Sequence, residues 1–174
     1  GDIHPYFVIY PLWEEDVKKC FWGPFLYHHI KDSKGLPYYL SISQMLEKKE
    51  EIFLNAENYI NFDLRKNIHK DTLLKVINAY SNERYSEPPA QYATIEMKAH
   101  MATFLNDESL FEQAIVDMEI AYAKYNSIFE KYLGKLDDWK NNLTSVFSNR
   151  QAMLDKIEEN IANGKIKAQV ELLP

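Results

Sequence analysis

Five histidines and a lone cysteine, with the carboxylates near them, are the groups in this chain whose types and spacing could do chemistry. Glu96 and His100 stand four residues apart. On a helix that spacing puts them on one face, where a carboxylate and an imidazole can serve as two ligands of a metal or as an acid and base pair. Bundle metalloproteins space such a Glu and His by three and add carboxylates from other helices. A spacing of four, without a second copy, predicts an ordinary hydrogen bond on a helix surface instead. His28 or His29 is the further candidate ligand. Adjacent residues point to opposite sides of a strand, so only one of the two can join a given site.

Arg65 and His69 form a second pair, of a kind used in nucleases, but Lys66 and Lys70 beside them predict a solvated turn. Cys20 follows Lys18 and Lys19, which would favour a thiolate, and precedes Phe21 and Trp22, which predict burial as an inert core thiol. One cysteine excludes an intramolecular disulfide and a C-x-x-C site, and leaves the compartment open with the cytoplasm preferred. Gly1 in place of Met fits either a removed leader or a residue left by a tag. The five isolated glycines build no phosphate loop, and G-x-S-x-G, H-E-x-x-H and calcium-loop patterns are missing. No cofactor is implied, and the balance leans away from an enzyme.

The net charge of −6 is shared by both halves of the chain, and only 3 of the 20 basic residues are Arg. A nucleic-acid binder needs a basic face and forked Arg contacts, so that class is disfavoured. An acidic surface favours a basic protein partner. No run approaches the ~18 apolar residues of a membrane span. The 12 Tyr, 9 Phe and 3 Trp imply a thick core, an exposed aromatic surface, or both. Tyr10, Trp13, Trp22 and Tyr27, in a stretch also rich in proline, are the candidate anchors for a protein partner.

What must position these groups is helical. Phe111, Ile115, Met118, Tyr122, Tyr125, Phe129, Tyr132, Leu136, Trp139, Leu143 and Val146 recur at steps of four and three, and the phase extends back through Phe104, Met101 and Met97. Six of those eleven positions are aromatic, too bulky for the seam of a two-stranded coiled coil and suited to a multi-helix bundle. A single helix from 97 to 161 would be ~97 Å long at 1.5 Å per residue. A capping box at Ser109 and Glu112 and the glycine at 134 predict breaks instead.

The expected architecture is therefore mainly α: a single-domain antiparallel helical bundle. An irregular aromatic and Pro-rich cap occupies 1–40, helices 41–80, a connector 81–90 around Pro88-Pro89, helices 91–163, and a tail or short strand 164–174. The alternating Ile166, Ala168, Val170 and Leu172 predict a two-stranded ribbon with the 6–10 run, joining the termini. The functional expectation is a protein-protein interaction module, an adaptor, inhibitor or regulator. The alternatives are an enzyme or a ligand- or metal-binding bundle using Glu96 and His100 with His28 or His29, and a structural coiled-coil component.

Overall fold

The computed structural model describes residues 3–8, 27–60, 67–83, 87–164 and 172–173. Among these the chain is mainly α, with six helices, the last four of which pack on one another as a bundle, and only short strands, as the apolar periodicity predicts. The chain divides into two compact units.

The first unit holds β1 (Tyr6–Val8), β2 (Tyr27–His29), α1 (Ile42–Ile60), β3 (Ile68–His69), the beginning of α2 (Lys70–Glu83) and β4 (Leu172–Leu173). The expected ribbon between the termini is corrected. β1 pairs antiparallel with β2, with Tyr6 opposite His29, while β4 pairs parallel with β3, with Ile68 opposite Leu172. Alternation in a sequence specifies a strand and its buried face but not its partner, and the nearer partner costs less loop-closure entropy. Ile30, Tyr38 and Leu40 close a small core against Ile52 and Ala56 of α1. The Tyr38 hydroxyl donates to Glu51 Oε1 at 2.6 Å and accepts from Asn55 Nδ2 at 2.8 Å. The start of α1 is set by a reciprocal cap that the sequence reading overlooked. Gln44 N–H donates to Ser41 Oγ at 3.3 Å and Ser41 N–H donates to Gln44 Oε1 at 2.9 Å.

The second unit holds α2 from Ile77 onward, α3 (Pro88–Leu105), α4 (Glu108–Leu133), α5 (Leu136–Ser148) and α6 (Arg150–Gly164). Pro88 and Pro89 belong to the first turn of α3 rather than to a connector, because a first turn has no intrahelical use for their missing N–H groups. The α3 helix ends at Asn106 in the left-handed region (φ 55°), and Asp107 caps α4 by accepting from Leu110 N–H at 3.0 Å. The true cap thus lies two residues before the expected Ser109. Gly134 (φ 80°) ends α4, and Asn149 ends α5. These breaks rule out one continuous helix from 97 to 161.

Small residues let α3 and α4 approach closely: Ala99 and Ala102 share a core with Ala114, Met118 and Ala121. The two run antiparallel, since Lys98 meets Asp117 at mid-helix and Asp107 N–H bonds Ala102 O at the turn. α5 returns along α4, with Phe147 stacked on Phe111 at 4.3 Å and Trp139 edge-on to Phe129 at 5.7 Å. The Arg150 guanidinium of α6 donates to Thr103 O and Phe104 O, satisfying the last carbonyls of α3.

Candidate functional site

The Glu96 and His100 pair lies in the second unit and is built into its packing. His100 Nδ1–H donates to the Glu96 backbone carbonyl at 2.8 Å, while the Glu96 carboxylate accepts from Trp139 Nε1–H at 2.5 Å. The imidazole is 7% exposed. Burial pushes its pKa down to about 4, outweighing the upward pull of the bond to Glu96. At neutral pH the ring is therefore uncharged with its proton on Nδ1, and the triad ties α5 to α3.

His28 and His29 are neighbours on β2 of the first unit, opposite Phe7 and Tyr6. Among the described residues no three His, Cys, Asp or Glu side chains gather as a metal would require. Of the aromatic anchors, Tyr27 is the first residue of β2, paired opposite Val8. Tyr10, Trp13 and Trp22 lie outside the described residues, as do Cys20 and Arg65. His69 is exposed, with Nδ1 3.5 Å from Asp71 Oδ2.

Two surface features of the second unit were not singled out by the sequence. The first is the outer side of α4. Val116 is 47% exposed and Ile120 63%, while the opposite side of the same helix buries Phe111, Ala114, Met118, Ala121 and Tyr122. The helix is interrupted at Tyr125 (φ −120°, ψ 26°), beyond which Ile128 is 42% and Tyr132 72% exposed. Beyond the interruption Phe129 stays buried, Tyr132 leaves the stripe and the next inward position falls to Leu133. By helical spacing before the interruption, Glu112 and Glu119 run along one edge of the Val116–Ile120 strip, and Lys124 along the other. The available signal was an apolar i,i+4 pair out of phase with the core stripe.

The second feature is a cleft of about 370 Å³ where the end of α2 meets α3 and α4. Ile95, Ile120, Ala121 and Tyr125 make its apolar side, and Lys98, bonded to Asp117 at 2.8 Å, its charged side. On α2, Ser81 and Gln91 of α3 are bonded to each other, Ser81 Oγ–H to Gln91 Oε1 and Gln91 Nε2–H to Ser81 O, both at 3.1 Å. Asn78 and Asn82, four residues apart on α2, complete the lining. Ile120 belongs to both features and makes them continuous.

The fold and site together define a mainly helical protein with a polar triad in its core and a mixed apolar and amide-lined surface. No family model, curated protein or solved structure matches the chain. None of the helices is long and apolar enough to cross a membrane, among the described residues.

Proposed function

We propose that this chain is a protein-interaction module whose docking face is the outer side of α4. The observation that carries the reading is the exposed Val116 and Ile120 on a helix whose other side already fills the core. An outer helix face is ordinarily polar, and an apolar strip rimmed by charge is the usual surface of a partner site. The occupant is a segment of another protein that places apolar side chains on Val116 and Ile120. Its basic groups face Glu112, since Glu119 is held by Lys140 of α5 at 2.7 Å. The net charge of −6 steers such a partner at long range, while Lys124 on the far edge fixes its orientation through a charge of the opposite sign.

A photocrosslinking amino acid at position 120 tests this in extracts of cells that express the protein. The expected result is one crosslinked partner peptide, identified by mass spectrometry and lost on Val116→Asp. The same probe at exposed Glu158 on α6 gives no such product. Equal labelling from positions 120 and 158 refutes the docking face.

The enzyme reading has one supporting observation, a neutral buried imidazole beside a carboxylate. Both groups are engaged in holding α3, α5 and each other, so the interaction reading is preferred.

A further inference from the structure

Asn78 and Asn82 are exposed and line the cleft beside Ile120, and neither carboxamide has a hydrogen-bond partner among the described residues. Each carboxamide carries both donors and an acceptor, so it can pair two-pronged with the N–H and C=O of one residue, which leave an extended chain on the same edge. Residues four apart on a helix have Cβ atoms ~5–6 Å apart. Alternate residues of an extended chain repeat every ~6.6 Å, within easy reach of two flexible side chains at that spacing. An extended segment with the N–H and C=O of one residue on Asn78, and those of the next residue but one on Asn82, turns the side chain between them to the apolar side of the cleft. There exposed Ile120 and half-buried Tyr125 offer an apolar contact for that side chain. The volume of about 370 Å³ suits a few peptide residues and lies within the ~300–1,000 Å³ span of ordinary ligand sites.

We infer that the cleft binds the main chain of an extended peptide segment of the partner, with Asn78 and Asn82 reading the N–H and C=O groups of alternate residues and one apolar side chain set against Ile120 and Tyr125. The inference rests on the protein-binding reading and specifies how the partner is gripped. Recognition through the main chain tolerates many sequences, whereas the apolar seat selects one position.

The test is a nuclear magnetic resonance titration with the neutral peptide acetyl-Ser-Ala-Leu-Ala-Ser-amide, which can form no ion pair with the cleft. Saturable binding is expected at millimolar peptide, with downfield shifts of the Asn78 and Asn82 side-chain amide resonances. The same peptide methylated on its Ala and Leu backbone nitrogens keeps its side chains, loses those donors, and should bind at least tenfold more weakly. The double variant Asn78→Ala, Asn82→Ala should lose binding to the same extent. Both side chains are exposed on a helix that alanine favours, so the fold persists. Absence of saturation, shifts located away from the cleft, or equal affinity for the methylated peptide overturns the inference. Crosslinking from position 120 does not depend on how the cleft is filled, so failure here beside success there removes the backbone reading and leaves the docking face standing.

Discussion

His100 shows how burial rather than ionic pairing governs a titratable group in this protein. Its ring lies 3.6 Å from Glu96 Oε2, which would favour the imidazolium, yet burial holds the pKa near about 4 against an ordinary 6.5. Protonation is therefore easier in the unfolded chain. The stabilising contribution is complete above pH ~6.5 and is lost as pH falls towards ~4, at up to ~1.4 kcal/mol per pH unit. Urea unfolding followed across that window should show the midpoint of the natural protein falling more steeply than that of His100→Leu. Equal pH slopes would remove His100 as the cause. Tyr38 behaves as an acid of the opposite kind: burial and donation to Glu51 push its hydroxyl up to about 12, so it remains a donor throughout the neutral range. Spacing brought Glu96 and His100 to notice and correctly placed them on one helix face. The sequence could not show that Trp139, forty-three residues later, would take the carboxylate, because that contact exists only once α5 folds back along α3.

At the scale of elements, the helix boundaries rest on a few backbone positions. Gly134 has φ 80° and ψ −157°, a region open essentially to glycine alone, and its carbonyl receives the Tyr122 hydroxyl at 3.0 Å. Gly134→Ala should therefore destabilise by about 1–3 kcal/mol although the site is exposed and a methyl group would meet only Asp138 Oδ2 at 3.7 Å. Asp107→Ala, which removes the α4 cap, should lose roughly 0.5–2 kcal/mol. Chemical denaturation of both variants measures these losses, and a Gly134→Ala protein as stable as the parent would show that the turn relaxes freely. These elements were largely legible. The apolar stripe marked the buried side of α3 through α5, and the glycine at 134 marked one of their turns. What was not legible was any feature requiring a change of helical phase or the meeting of distant segments. Tyr132, assigned to the stripe, lies beyond the interruption at Tyr125, which nothing local signals. The cleft escaped because Asn78, Ile95 and Ile120 come from three helices, and exposed asparagines in sequence resemble ordinary helix surface.

For the molecule as a whole, the division into two units has a consequence for how the chain folds. The larger core runs from Ile95 to Leu143, and among the described residues its side chains belong to α3, α4 and α5, with Tyr92, Leu136 and Phe147 packed against it. Its caps are equally local: Asp107 for α4, Arg150 for the end of α3, and the bonded pair Ser81 and Gln91 linking α2 to α3. An 88-residue segment with a single continuous core lies in the size range where domains fold alone while burying about 60% or somewhat more of their unfolded surface. The contacts are also mostly between helices adjacent in sequence, which lowers the entropy of closing loops before packing can reward it. A fragment spanning 77–164 is therefore expected to unfold cooperatively, with a helical circular dichroism spectrum and dispersed methyl resonances. It should also keep the cleft, since Asn78, Ile95, Ile120 and Tyr125 all lie within the fragment. The measurement is a thermal melt monitored by ellipticity, repeated at a near-ultraviolet wavelength that reports Trp139. Coincident transitions at the two wavelengths support an autonomous unit. A helical signal that persists after the Trp139 signal has vanished, or a melt without a sigmoid, would mean that the packing of this core is completed by parts of the chain outside the fragment.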